Sequence, residues 1–176
     1  MSTLSLCDNI SVPRSFFSID FGTATHRELH VFSDASEEAI GYVIYSRCFN
    51  ENNSVSVNFV LGNSKVSPRG ANSIPRLELC AAMEAAKIAR CSLTELKEEY
   101  DVFLYTDSKI VIGYLSNTDR SFTKYITRRV SIIKKMFPDK QFTYVPSHQN
   151  PADIASRPHS PRCLMEETCW NQGPAF

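Results

Sequence analysis

The chain has 176 residues, 43% hydrophobic and 22% charged, with 19 basic side chains matched by 19 acidic ones. That length favours one domain with extensions, and the apolar content excludes a disordered chain. Electrical neutrality removes any general electrostatic case for a nucleic-acid partner.

No apolar run reaches the roughly 18–20 residues of a membrane span, so no membrane partner is expected. The start of the chain, Met1 to Ser11, has no basic segment followed by an apolar stretch, so no secretory signal is read there. The six cysteines (Cys7, Cys48, Cys80, Cys91, Cys163, Cys169) form no C-x-x-C pair. Neither zinc nor a disulfide framework is therefore expected, and a reducing intracellular compartment, the cytoplasm, fits best. Cys163 and Cys169 are the one tail pair worth attention.

In chain order, residues 1–27 read as a connector of mixed polarity. Leu29 to Ser33 predicts a strand ending at Asp34, and Ala39 to Ser46 a β-branched and aromatic second strand. After the polar turn Asn50–Asn53, Val55 to Leu61 alternates as a third, so an antiparallel meander is expected. A Ser-, Pro- and Gly-containing loop, Ser64 to Ser73, leads to Pro75, which opens an alanine-rich helix running from Leu77 to Cys91. Asp101 to Thr106 predicts a buried strand ending at Asp107. Ser108 to Leu115 predicts a short helix, and Tyr125 to Phe137 another with Ile126, Val130, Ile133 and Phe137 on one stripe. Gln141 to Val145 completes the strands, and Pro151 to Ser156 begins a last short helix. The order β-β-β-α-β-α-α-β-α predicts an α/β domain over residues 28–158, a mixed five-stranded sheet with helices on both faces, followed by a tail over 159–176.

Charge is unevenly spread. Arg120, Lys124, Arg128, Arg129, Lys134, Lys135 and Lys140 form a basic run containing one acid, Asp139. Such a stretch can hold a phosphate backbone or can be an ordinary solvated helix face.

Four acids stand at informative places. Asp34 and Asp107 end predicted strands, Glu78 lies in the first turns of the long helix on a face otherwise made of Ala81, Ala82 and Ala85, and Asp153 follows Pro151. Taken singly, each has a plain explanation as a helix cap or a first-turn acid. Brought together, four carboxylates repel strongly unless divalent cations sit among them. Oxygen-only donors suit Mg²⁺ or Mn²⁺, and two such ions can drive phosphodiester hydrolysis.

The segments Phe32-Ser33-Asp34-Ala35-Ser36, Ile74-Pro75-Arg76-Leu77-Glu78-Leu79, Tyr105-Thr106-Asp107-Ser108 and His148 through Arg157 resemble the ribonuclease H domain of Pao/BEL-type LTR retrotransposon polyproteins. The resemblance runs from about Val12 to Phe176 and takes in a tail segment, Cys169 to Pro174, similar to a Trp-x-x-Gly-Pro motif of such elements. It implies a ribonuclease H-like fold, and a metal-binding quartet of Asp34, Glu78, Asp107 and Asp153 holding two Mg²⁺ or Mn²⁺ ions. It further implies a catalytic auxiliary in His148, an RNA–DNA hybrid as substrate, and the reverse transcriptase domain of a parent polyprotein as partner. Ser36, Arg76, Ser108, Arg120, Lys124, Arg128 and Asn150 are the expected substrate contacts. Ser36 and Ser108 read equally as caps, and Arg76 and Asn150 as residues that orient Glu78 and Asp153. Trp170 reads as a packing anchor for the tail. The additional basic helix of cellular relatives is missing between Leu115 and Lys124, which implies weak affinity for isolated substrate.

Two rival enzymes fit less well. Integrases of this fold class end their acidic set with a glutamate, but position 142 is Phe142 and no glutamate lies between Asp107 and Glu166. Proofreading exonucleases open with Asp-x-Glu, where this chain has Asp34-Ala35-Ser36. The remaining alternative is an inert nucleic-acid-binding remnant of a retroelement.

Overall fold

The computed structural model describes residues 21–68, 73–117, 121–138, 142–158, 170 and 173–174. Three strands, β1 (Ala24–Ala35), β2 (Ala39–Asn50) and β3 (Val55–Val66), form an antiparallel meander. The long helix α1 (Ile74–Leu96) leads into β4 (Asp101–Thr106), then come α2 (Lys109–Ser116), α3 (Lys124–Met136), β5 (Phe142–Tyr144) and α4 (Ala152–Ser156). β4 and β5 join in parallel, and the sheet order is β3-β2-β1-β4-β5. The mixed five-stranded sheet predicted from the pattern is therefore present.

Several elements are longer than their apolar patterns suggest. β1 starts at Ala24, within the stretch read as connector, because the ladder to β2 continues through His26 and Arg27 opposite Phe49 and Cys48. Polar side chains there hide the strand from a hydrophobicity reading, while the backbone pairing carries it on. Likewise β3 runs to Val66, inside the predicted loop, held by the register of β2 (Ala39 opposite Val66). The helix α1 continues beyond Cys91 to Leu96 and stops where Lys97 turns left-handed at φ 57°. The first 20 residues, Arg120, Gln141 and most of the tail, including Cys163 and Cys169, lie outside the described residues. Among the described residues, Cys48, Cys80 and Cys91 are free thiols, and no helix is long and apolar enough to cross a membrane.

Strand alternation sends side chains to two cores. Leu29, Val31, Tyr42, Ile44, Val102 and Leu104 face α1, whose Ala82, Ala85, Ala86 and Ala89 are fully buried against them. Side chains this small let the helix axis settle close to the sheet. Phe32, Val43 and Tyr45 point to the opposite face and pack with Ala152 of α4 and with Trp170. The Trp170 ring lies against Phe59, and its carbonyl accepts a 2.8 Å hydrogen bond from the Tyr45 hydroxyl.

The docking of α4 depends on a missing side chain. A Cβ on Gly41 would stand 2.7 Å from the Ala155 carbonyl carbon and the Ser156 nitrogen and 2.8 Å from the Ala152 oxygen. All three are backbone atoms, which cannot swing aside. Gly41→Ala is therefore expected to lower stability by about 1–3 kcal/mol, the usual range for overpacking. Urea unfolding midpoints check this, and an unchanged midpoint would show that α4 is not seated so tightly.

Candidate active site

The parallel pairing of β1 with β4 builds the site. The ladder ends with Ser33 opposite Thr106, so Asp34 and Asp107 follow side by side where the two strands terminate together. Crevices at the carboxyl ends of parallel strands are the usual ligand positions in α/β sheets. An open cleft of about 700 Å³ lies here, lined by Asp34, Ser36, Glu78, Asp107, Ser147 and Arg157, among others. Asp34, Glu78 and Asp107 thus come together from three separated segments. Glu37 and Glu38, on the turn after β1, also line the cleft and make it more acidic than the four predicted acids alone would.

Three of the four predicted acids have found a donor. The Ser156 hydroxyl donates a hydrogen bond to Asp34 Oδ2. Ser108 donates to Glu78 Oε2 at 2.5 Å while accepting from the Val111 nitrogen as the N-cap of α2. Ser108 is thus a helix cap and at the same time the hydroxyl that holds the glutamate. Arg157 pairs with Asp153 Oδ1 at 2.8 Å. By contrast, Asp107 Oδ1 is buried with no hydrogen-bond partner. A buried carboxylate oxygen left in that state is costly unless a cation meets it.

Protonation reflects the same crowding. Burial, followed by the negative charges of Asp107 and Asp153, pushes Asp34 up to about 6 against the hydrogen bond from Ser156. Burial and the charge of Asp107 also push Glu78 up. An oxygen-only set under mutual repulsion, with one orphaned buried oxygen, fits hard divalent cations. Among the described residues, no three acidic, histidine or cysteine side chains already converge as a metal-ligand cluster.

The other predicted residues take varied positions. Asp153 is on α4, close enough to influence Asp34, yet its carboxylate is turned to Arg157 and is not part of the cleft wall. His148 is exposed on the 3-10 turn Ser147–Gln149 and is not among the residues lining the cleft, although its neighbour Ser147 is. Asn150 is only 4% exposed, and both ends of its amide are engaged: Nδ2 donates to the Ser33 carbonyl and Oδ1 accepts from the Ala152 nitrogen. Those bonds leave it orienting the start of α4 rather than facing a substrate. Ser36 donates to the Ser156 carbonyl at 2.6 Å and accepts from the Ala39 nitrogen, bracing the turn after β1 against α4. Arg76 is half-buried over the Tyr125 ring, and Lys124 and Arg128 are exposed on α3.

Glu37, Glu38, Gly41, Ser156 and Arg157 escaped the sequence reading. Spacing carries a signal for the last two, since Ser156 and Arg157 follow Asp153 by three and four residues, on one side of a helix.

Asp34 makes the metal-free protein sensitive to pH. Its folded-state value lies above the ordinary 3.8, so the folded chain holds this proton more tightly than the unfolded one. The stability it contributes is present in full below about 3.8 and is lost as pH rises through about 6. Urea midpoints recorded in EDTA across this window should therefore fall less in Asp34→Asn than in the unsubstituted chain. Parallel profiles would show that Asp34 is not under this pressure.

The chain matches the family model described as "Pao retrotransposon-like RNaseH-like domain" over residues 1–108, a span that holds Asp34, Glu78 and Asp107. No curated protein sequence matches it significantly. Among solved structures, it is similar to RNase H1 from the halophilic archaeon Halobacterium salinarum, with 14% identity, 74% of this chain and 93% of that one covered, and a TM-score of 0.48. Similar too is the N-terminal RNase H domain of a Mycobacterium tuberculosis protein, with 11% identity, coverage of 73% and 93%, and a TM-score of 0.48. The RNase H domain of prototype foamy virus aligns with 18% identity, coverage of 70% and 79%, and a TM-score of 0.41. Matched over more than half its length, and carrying the strand order and acid placement described above, the chain belongs to the Pao retrotransposon-like family of RNase H-like domains.

Proposed function

We propose that this chain is a divalent-metal-dependent endonuclease that hydrolyses the RNA strand of RNA–DNA hybrids. The observation that carries the reading is the convergence of Asp34, Glu78 and Asp107 on one cleft, with the Asp107 Oδ1 atom buried and unpartnered.

In this reading Asp34, Glu78, Asp107 and Asp153 hold two Mg²⁺ or Mn²⁺ ions. The chemistry such ions supply is activation of a water and stabilisation of the leaving oxygen, which yields a 3′-hydroxyl and a 5′-phosphate. The chain's own residues do the rest. Ser108 and Ser156 aim two of the carboxylates through hydrogen bonds. Arg157, which is exposed and lines the cleft, releases Asp153 and turns to a substrate phosphate. Exposed ion pairs of this kind are weak enough to exchange readily. Lys124, Arg128 and Arg120 meet phosphates farther along the duplex, and His148 assists proton transfer from the rim. Selection of RNA rests on 2′-hydroxyl contacts and groove shape, with little base reading. The reverse transcriptase domain of a parent polyprotein, where attached, adds the grip that a short basic segment lacks.

Cleavage of an end-labelled RNA–DNA hybrid tests the proposal, with Mg²⁺ or Mn²⁺, beside Asp107→Asn. Cutting confined to the RNA strand and lost in the variant is the expected result. No cutting at protein concentrations that saturate the hybrid would leave an inert binding remnant. A second substitution, Ser156→Ala, removes the hydroxyl that donates to Asp34 and also reaches the Asp153 carbonyl at 3.0 Å, and should lower activity or metal affinity by about 10–100-fold, as loss of an outer hydrogen-bond partner commonly does. An unaltered rate would show that Ser156 does not orient Asp34.

A further inference from the structure

A cleft of about 550 Å³ lies between the end of α2 and α3, apart from the acids. Tyr114, Phe122 and Val130 give it an apolar floor, and Ser131, Lys134 and Lys135 a polar rim. The two rings meet edge to face, with centres 5.1 Å apart and planes at 76°, and both pack against the main core to which Val130 belongs. The floor is thus fixed by the fold itself.

The rim is charged on one side only. Lys134 and Lys135 are exposed in the last turn of α3, a helix whose sequence contains no acid. Neither lysine pairs with a carboxylate among the described residues, where the ion pairs of lysine and arginine involve Arg27, Arg47, Lys65, Lys87 and Arg157. Cations favour a helix C-terminus because they meet the macrodipole there. That accounts for two lysines, but not for the aromatic floor beside them. A helix side that faces only solvent is polar throughout.

The shape and chemistry select the occupant. Thr127, Ser131 and Lys134 recur at helical spacing along the cleft and mark a rim about 10 Å long. An extended chain covers that span in about three or four residues. The floor accepts one bulky apolar side chain, the ammonium groups call for carboxylates beside it, and the hydroxyls suit main-chain amides. Nucleic acid fits less well, because bases stack on open aromatic faces and these rings are half-buried and set edge to face. The location differs as well. α3 starts beside the start of α1, where Tyr125 meets Cys80, and its last turn lies roughly 15 Å farther along.

We propose that the α2–α3 cleft docks a short acidic segment of a partner polypeptide. One bulky apolar side chain enters between Tyr114, Phe122 and Val130, and acids flanking it meet Lys134 and Lys135. This goes beyond the hybrid-cleaving reading and does not depend on it, since no residue lining this cleft lines the acidic one.

Titration of the isotope-labelled full chain with a blocked pentapeptide, phenylalanine at its centre and two acids on each side, tests this through amide chemical shifts. Saturable shifts confined to the amides around Tyr114, Phe122, Thr127 and Ser131 are expected, with affinity falling as KCl is raised. The same peptide with serine at its centre, or with glutamines in place of the acids, should bind several-fold more weakly. Lys134→Gln and Lys135→Gln should each weaken binding by about twofold to fivefold, the range of an exposed ion pair. Melting curves verify that these surface variants are folded. No shifts at the cleft up to millimolar peptide, or equal binding of the serine and glutamine controls, would overturn the proposal. So would an RNA–DNA hybrid in EDTA that moves these amides while the acidic peptide does not, which would make the cleft a nucleic-acid contact.

Discussion

The parallel ladder between β1 and β4 is the constraint on which the rest depends. It aligns two strands that are more than 60 residues apart in the chain so that Ser33 and Thr106 end together, and it thereby sets Asp34 beside Asp107. No local preference of either strand would bring two carboxylates into contact. The pairing does so because the faces behind those acids, Val31 and Leu104 on one side and Phe32 and Tyr105 on the other, are buried or stacked against common neighbours. Apolar burial and backbone hydrogen bonding outweigh the repulsion that they create. Burial first, and then the charges of Asp107 and Asp153, hold the Asp34 carboxyl above its ordinary value.

Much of the surrounding structure can be understood as holding that tension. α1 carries Glu78 to the cleft on a run of buried alanines, and the N-cap of α2 supplies the hydroxyl that fixes it. On the opposite face of the sheet, α4 is pressed against Gly41 and tied by Asn150 and Ser36, which places Ser156 against Asp34. Helices from both faces therefore reach the end of the sheet where β1 and β4 terminate, each delivering a neutral donor to an acid. Neutral hydroxyls steady the carboxylates without cancelling their charge, and this keeps the cleft attractive to cations. Arg157 is the one charged donor in the set, and it acts on Asp153, the predicted acid that does not line the cleft.

Acid and base are kept apart. The cleft gathers Asp34, Glu78, Asp107, Glu37 and Glu38, while the α1–α3 corner gathers Arg76, Arg129, Lys124 and Arg128. A neutral chain in this way keeps an acidic region and a basic one apart. Composition alone hides this arrangement, since the opposing charges cancel in any count.

What the sequence by itself determined was local: five strands and four helices in order, the alanine face that packs on the sheet, and the acids at strand ends. These are legible because alternation and helical period express which side of a single element is buried. The family motifs around Asp34, Glu78 and Asp107 were legible for the same reason, each being contained in a few adjacent residues. Tertiary structure alone decided the extension of β1 through polar residues, the contact of Ser156 with Asp34 across 122 positions, and the sharing of Tyr125 by two arginines from different helices. Each depends on strand register or on the distance between packed helices. Those quantities belong to pairs of segments, and neither segment carries them when read alone.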